Sequence, residues 1–356
     1  MRLAEWNDAE AISQVNLRNG LGLLDPVVWR EYWDAYPFAD EFRDIPIGWV
    51  LEDSGGAVVG TLSNMHMLYD LGGKRLRGTI AALWAVDAVH RGKALRLMNA
   101  FFRQKGVDLL LNVSASPGTA RILTGMKIPR IPIPDYGTPC LWALRPRPFA
   151  RAALSRKAIP GAEALAWPAG LGLLVWDIIR RSGRGRLSLP VRRLEKFDDR
   201  FDSFWQRILS GQPRLRAVRN RAVLEWRFRV ELRERRIAII AAEPAGKLSG
   251  YAVLVRRAGS ELGMEMYDVA DIQAEGDDPA IFRDLLLGSM NIARDEKMDA
   301  LKFLTGTPVK RRPAEQLQPY TYNLSFWQQY YQAATPQLAT ALSSADDWDL
   351  SLFDTF

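Results

Sequence analysis

The order of predicted secondary structure in the first part of this chain recurs in its second part. A β-hairpin, a strand, an amphipathic helix and an apolar strand are predicted over residues 47–113 and again over residues 236–306. The offset is 190 residues from Gly60 to Gly250 and 191 from Asp108 to Asp299. A nearly constant offset favours an internal duplication. We therefore expect two copies of one α/β fold, with two unrelated α/β domains as the alternative.

The length of the chain agrees with two domains. A single core stops growing near roughly 250–300 residues, and this chain has 356. The patterns predict an N-terminal domain over residues 1–145, a linker over 146–190, a second domain over 191–335 and an acidic C-terminal tail over 336–356.

The positive charge of the chain is concentrated in the linker. The net charge is +7, and residues 147–193 alone carry +8, which leaves −1 for the rest. Without a broad basic face on either domain, specific nucleic-acid binding is not expected. Two histidines and the single Cys140 supply neither an internal disulfide nor a Cys/His zinc set, so we predict no metal site.

Residues 164–179 of the linker are apolar apart from Asp177. About 16 residues interrupted by Pro168 fall short of the roughly 20 that cross a bilayer. Two interpretations remain: a helix buried between the two domains, or a peripheral contact of residues 161–186 with an anionic membrane through tryptophans and basic flanks. The breaks at Pro168 and Gly170 favour the buried plug. The polar N-terminus does not resemble a signal peptide, so we expect a cytoplasmic protein.

The segment most informative about function is a strand end, a short basic loop and a helix start over residues 86–96. Val86 ends the strand, and Arg91 and Lys93 bring positive charge to the loop. A helix N-terminus exposes unpaired N–H groups and the positive end of the helix dipole. Such a junction can receive a pyrophosphate.

In this order of elements, the segment resembles the GNAT acyltransferase family. The loop of that family reads Arg/Gln-x-x-Gly-x-Gly/Ala, and its amides hold the CoA pyrophosphate. The matching residues here are Arg91, Gly92, Lys93, Ala94, Leu95 and Arg96. Ala94 and Arg96 replace the two small residues at the end of the motif. The resemblance covers residues 1–145 and, more weakly, residues 190–335, and it implies two GNAT-like mixed-sheet domains in tandem.

The resemblance also implies where an acyl-CoA donor lies. In the family, the strand after the helix splays away from the preceding strand and admits the pantetheine arm. Here that strand is predicted over residues 109–113, and amides near Asn112 and Ser114 would orient the donor. Acetyl-CoA, or another acyl-CoA, is therefore the expected cofactor.

Acyl transfer needs a group that takes the acceptor's proton. The strand over residues 78–86 lacks the carboxylate that the family often places there, and Arg121 stands near the position of its usual tyrosine acid. His66 and Tyr69 on the hairpin are the predicted catalytic residues. Cys140 is predicted to be a buried apolar residue.

The corresponding loop of the second half, residues 271–279, contains four acidic side chains and no Lys or Arg. A pyrophosphate would meet like charge there, so we expect the second half not to bind CoA in this way.

Together these features predict an acyl-CoA-dependent acyltransferase. The acceptor is expected to be an amine or hydroxyl of a small molecule, including a sugar or polysaccharide precursor. Two alternatives remain open: a Fem-type peptidyltransferase that takes its aminoacyl group from tRNA, and a non-catalytic GNAT-like binding or scaffold protein. The oligomeric state is left open.

Overall fold

The computed structural model describes residues 1–22, 25–134, 136–181, 186–257, 263–324 and 328–355. Strands and helices are numbered along the chain within these ranges. The first sheet contains β1 (Arg2–Leu3), β2 (Gly48–Glu52), β3 (Val58–Leu71), β4 (Lys74–Val86), β5 (Leu109–Ala115), β8 (Leu215–Ala217), β14 (Gln328–Ala333) and β15 (Trp348–Asp349). The second sheet contains β6 (Cys140–Ala143), β7 (Val191–Leu194), β9 (Ile237–Ala242), β10 (Gly250–Arg257), β11 (Met266–Ala274), β12 (Ala300–Phe303) and β13 (Tyr320–Thr321).

The helices connect and cover these sheets. They are α1 (Ala9–Arg18), α2 (Pro26–Asp34), α3 (Ala94–Arg103), α4 (Pro117–Gly125), α5 (Pro146–Arg156), α6 (Ala162–Arg181), α7 (Arg200–Leu209), α8 (Arg221–Arg227), α9 (Arg229–Arg233), α10 (Pro279–Asp295), α11 (Pro308–Gln316) and α12 (Pro336–Ala341). In α3 the apolar side chains recur at helical spacing, so one stripe (Leu97, Met98, Phe101, Phe102) is buried against the first sheet.

The two sheets repeat one plan. Strands β2, β3 and β4 are antiparallel and β5 is parallel to β4, while β9, β10 and β11 are antiparallel and β12 is parallel to β11. The N–H of Asp108 donates to the carbonyl of Arg77, and the N–H of Asp299 donates to that of Glu265, each at 2.7 Å. Their carboxylates accept from the N–H groups of the same two partners. The predicted fold class, two mixed-sheet α/β units, is confirmed.

The two halves exchange strands. Strand β6, from the first half of the chain, pairs with β12 in the second sheet, and β14, from the second half, pairs with β5 in the first sheet. The predicted limits 1–145 and 191–335 separate the two repeats along the sequence, but each sheet contains strands from both sides of these limits.

The predicted acidic tail is wrong as a description of residues 336–356. This segment forms α12 and β15, and Trp348, Leu350 and Phe353 are fully buried. The carboxylates of Asp349 and Asp354 are buried as well and lie in ion pairs with basic side chains. Acidic composition suggested a solvated tail, but buried cations compensate its charge.

The predicted buried plug in the linker is also wrong. Helices α5 and α6 form a hairpin, and only 11% of the window Ala162–Ile179 is buried. By length and composition this window could cross a membrane, although the sequence alone argued against a span. Pro168 and Gly170 are accommodated inside α6 rather than ending it.

Candidate functional site

The junction between β4 and α3 is anchored by an acidic residue. Strand β4 ends at Val86, and a 3₁₀ turn, Ala88–Lys93, leads into α3 at Ala94. Asp87 accepts hydrogen bonds from Arg18 (2.8 Å) and Asn19 (3.0 Å) of the first helix region. The bond from Arg18 holds the pKa of Asp87 below its usual value. The start of the junction is thus fixed to the rest of the domain.

The N-terminus of α3 is basic and open. No side chain caps it, and Arg91, Lys93 and Arg96 are exposed. None of these three forms an ion pair with another residue in the described ranges. A Cβ added at Gly92 would meet no atom within 4 Å. The junction therefore offers an anion three cations and an unobstructed approach.

The predicted amide cradle over residues 91–96 is only partly available. The N–H of Ala94 already donates to the carbonyl of Arg91 within the 3₁₀ turn. In this conformation Arg91, Lys93 and Arg96 supply more of the attraction for a pyrophosphate than the amides do, while Leu95 is an exposed apolar residue beside them.

Next to this junction, the parallel strands β4 and β5 stop pairing before either of them ends. Residues 78–80 of β4 pair with residues 109–111 of β5, and no pair follows in the described register, although β4 continues to Val86 and β5 to Ala115. The expected divergence of the two strands is confirmed. Beyond the residues paired with β5, β4 carries a bulge at Leu83, which has a φ of 51°. A bulge leaves backbone groups outside the ladder.

Polar groups line the region where the strands diverge. Asn112 of β5 is buried, and its Oδ1 has no hydrogen-bond partner among the described residues. Ser114, two residues further along β5, is exposed. The Nε1 of Trp84, next to the bulge, is also buried without a partner in these ranges. Asn112 and Ser114 therefore lie on β5 beyond its last pair with β4.

The two predicted catalytic side chains are not accessible. His66 is 6% exposed, stacks on Phe42 at 4.8 Å between ring centres, and places Nε2 3.3 Å from the carbonyl oxygen of Pro46. Burial lowers the pKa of His66 to about 4. Tyr69 is fully buried, and burial raises the pKa of its hydroxyl well above its usual value. Both side chains lie in the core because β3 is covered on both faces, so neither can reach an acceptor from solvent in this structure.

Cys140 is buried in the second sheet, and burial raises the pKa of its thiol to about 11. This agrees with the predicted apolar role. A shallow cavity of about 460 Å³ lies beside α4 and is lined by Pro117, Ala120, Arg121, Thr124 and Gln328. Arg121 thus lies in a surface recess next to the segment that follows β5.

Two buried polar groups that the sequence patterns did not predict lie on the other face of the first sheet. Asn16 of α1 is completely buried, and neither atom of its amide has a partner among the described residues. The hydroxyl of Thr61 on β3 is also buried without a hydrogen-bond partner among the described residues. The sequence contained a signal for the burial of Asn16, because this residue interrupts the apolar stripe formed by Ile12 and Val15.

The equivalent junction of the second half is closed. The carboxylate of Asp278 caps α10 by accepting from the N–H of Ala280 at 2.7 Å. Glu275 forms ion pairs with Lys247 (2.8 Å) and Arg207 (3.1 Å), and Asp277 pairs with Arg214 and Arg216. The helix N-terminus is already occupied by a carboxylate of the chain itself.

The space beyond this junction is filled by the C-terminal segment. Arg219 pairs with Asp271 of β11 (3.0 Å) and with Asp354 (3.3 Å), and all three side chains are at most 1% exposed. Ser351 donates to Asp271 at 3.0 Å. Burial raises the pKa of Asp354 to about 6. A buried ionic network thus adjoins the junction of the second half.

Comparisons with known proteins agree with this plan. No family model matches the sequence, and no curated protein matches it. Among solved structures, a GCN5-related N-acetyltransferase from Anabaena variabilis is similar at a TM-score of 0.57 and 12% identity, covering 94% of this chain and 72% of that chain. Saccharomyces cerevisiae N-myristoyltransferase with bound myristoyl-CoA has a TM-score of 0.53 at 14% identity, covering 91% and 79%. Eis1 from Mycobacterium abscessus has a TM-score of 0.51 at 12% identity, covering 96% and 75%. The chain therefore has the GNAT fold.

Proposed function

We propose that this chain is an acyl-CoA-dependent acyltransferase that binds its donor in the N-terminal half. The observation that carries the proposal is the coincidence, in that half alone, of a basic helix N-terminus without a side-chain cap and parallel strands that stop pairing beside it. The pyrophosphate of CoA would lie at Arg91, Lys93 and Arg96. The pantetheine arm would enter between β4 and β5, toward Asn112 and Ser114.

The reaction follows from this placement. An amine or hydroxyl of the acceptor attacks the thioester carbonyl, a new C–N or C–O bond forms, and the C–S bond breaks to release CoA. Backbone N–H groups at the Leu83 bulge would stabilise the developing oxyanion. Because His66 and Tyr69 are buried, we infer that the acceptor's proton passes to solvent and not to either side chain.

The donor and acceptor belong to the proposal as well. We favour acetyl-CoA as the donor, while the similar N-myristoyltransferase holds myristoyl-CoA. The acceptor is a small molecule, such as an amino sugar or a polysaccharide precursor, bound in the groove between the two halves. Ligand sites commonly lie at such interfaces. A cytoplasmic location is part of the same proposal.

Isothermal titration of the full chain with acetyl-CoA tests this function. We expect micromolar binding with one site per chain, and release of free CoA thiol when an amine acceptor is supplied. The double variant Arg91→Glu/Lys93→Glu should lose binding, whereas Lys105→Glu, an exposed lysine beyond the end of α3, should retain it.

Two outcomes would replace the proposal. Absence of acyl-CoA binding together with transfer from aminoacyl-tRNA would identify a Fem-type enzyme. Absence of both would identify a binding or scaffold protein with a GNAT fold.

A further inference from the structure

Helix α6 presents a broad apolar surface to solvent. Eight large apolar side chains on it are between 44% and 64% exposed: Leu165, Trp167, Leu171, Leu174, Val175, Trp176, Ile178 and Ile179. We call this set the outer face. Exposed apolar patches of this kind mark interaction surfaces in soluble domains.

The opposite side of α6 is attached to the protein along its length. Ala166, Gly170, Leu173 and Asp177 follow helical spacing and therefore share one side. Ala166 and Gly170 are buried, and a Cβ at Gly170 would lie 3.0 Å from the Cα of Arg147. Near the end of the helix, Asp177 accepts a hydrogen bond from the hydroxyl of Tyr320 at 2.9 Å.

This attachment determines how the helix can meet a lipid bilayer. A helix that packs on its own domain from Ala166 to Asp177 cannot cross a membrane by itself. It can lie in the plane of the surface, with one face toward the protein and the other toward lipid. The outer face suits that orientation, because the only charged residue between 164 and 179 is Asp177, on the inner side.

Basic residues accompany the outer face. The guanidinium of Arg147 lies 5.0 Å from the centre of the exposed Trp167 ring. Arg151, Arg156 and Lys157 are exposed on α5 and in the turn that leads to α6. Glu163 pairs with Arg147 and Arg151 (3.3 and 3.6 Å). Basic residues still outnumber acidic ones in the hairpin, which therefore has a net positive charge. Tryptophan beside basic side chains is typical of segments that bind anionic headgroups.

We propose that the α5–α6 hairpin docks the protein in-plane on an anionic membrane, with the outer face at the boundary between headgroups and acyl chains. Charge favours lipid over a second copy of the chain, since pairing two hairpins would bring their basic residues together. The inference rests on the hairpin alone and is independent of the proposed acyl transfer. Docking would suit an enzyme whose acceptor is a lipid-linked sugar.

Co-sedimentation with vesicles tests the docking. The full chain should sediment with vesicles that contain phosphatidylglycerol and stay in solution with phosphatidylcholine alone. Leu171→Glu/Ile178→Glu should abolish sedimentation. Val27→Glu replaces an equally exposed valine on α2, which is 67% exposed, and should leave sedimentation unchanged. Unchanged melting temperatures confirm that these surface variants are folded.

The charge contribution has its own test. Arg156→Gln/Lys157→Gln should weaken vesicle binding by roughly fivefold per residue and reduce its dependence on salt. No sedimentation at low salt, or equal sedimentation with both vesicle types, would overturn the proposal. Self-association without lipid that Leu171→Glu abolishes, with no vesicle binding, would identify a second copy as the occupant. Because acetyl-CoA titration does not require the hairpin, failure of docking is distinguishable from failure of the proposed function.

Discussion

The two strand–loop–helix junctions of this chain share a backbone plan and differ in charge. In the first, β4 leads into an uncapped α3 surrounded by Arg91, Lys93 and Arg96. In the second, β11 leads into α10, where the N–H of Ala280 donates to the capping carboxylate of Asp278. The first junction offers its three exposed cations to an external anion, and the second is closed by a carboxylate of its own chain.

The difference extends from each junction into the sheet beside it. Both parallel strand pairs, β4 with β5 and β11 with β12, stop pairing before the longer strand ends. In the second half, the space beside Asp271 of β11 is occupied by the C-terminal segment and its ion pairs. A helix N-terminus can be satisfied by a ligand or by a carboxylate of its own chain. The comparison shows how a duplicated fold can retain a cofactor site in one copy and convert the other to structural use.

The largest effect is expected in the buried network of the second half. Arg219→Met leaves the carboxylates of Asp271 and Asp354 buried without their cation, which should lower the free energy of unfolding by about 3–5 kcal/mol. Urea unfolding measures this loss. Arg43→Gln breaks an exposed pair with Asp40 and should not move the midpoint. A loss for Arg219→Met no larger than that of the control would show that the network is not what holds the second half closed.

The next-largest effect is a pH dependence of folding stability caused by His66, which we place in the core and not at the site of the first half. Its pKa is about 4 in the folded chain and about 6.5 in an unfolded one. The unfolded state therefore binds the proton more tightly, and stability should fall by about 3 kcal/mol as the pH drops from about 6.5 to about 4. His66→Gln should flatten this dependence in urea unfolding across that range. An unchanged slope, with an activity loss that titrates near neutrality, would restore His66 as a catalytic base.

A single carboxylate should make the first junction resemble the second. Gly92→Asp places negative charge in the open approach to α3 and should weaken CoA binding by about 1.4–3 kcal/mol, or ten- to a hundredfold. Gly92→Asn, of the same size without charge, is the matched control and should bind nearly as wild type in calorimetric titration. Equal weakening by both variants would indicate steric obstruction instead of electrostatics.

The smallest effect is the converse change in the second half. Asp278→Ala removes the cap of α10 and should cost about 1 kcal/mol of stability. It should not create a second CoA site, because the adjoining space remains filled by residues 348–354. Thermal unfolding checks the loss of stability, and CoA titration checks the number of sites. A stoichiometry of two CoA per chain would contradict the distinction between the two halves.

Local patterns predicted the elements that carry the site. The apolar stripe of α3, the basic and acidic junction loops and the divergence of β4 from β5 follow from periodicity, charge and family resemblance in contiguous segments. The exchange of β6 and β14 depends on pairing between residues more than 100 positions apart, which local periodicity does not contain. The burial of His66 depends on Phe42 and Pro46, which cover it from a separate segment of the chain. The packing of Asp354 depends on a cation 135 residues away.

A crystal structure of the chain with bound CoA tests the central claim most directly. The account predicts one CoA per chain, with its pyrophosphate at Arg91, Lys93 and Arg96 and its pantetheine between β4 and β5. A CoA pyrophosphate at the N-terminus of α10, with Asp278 displaced, would contradict the account.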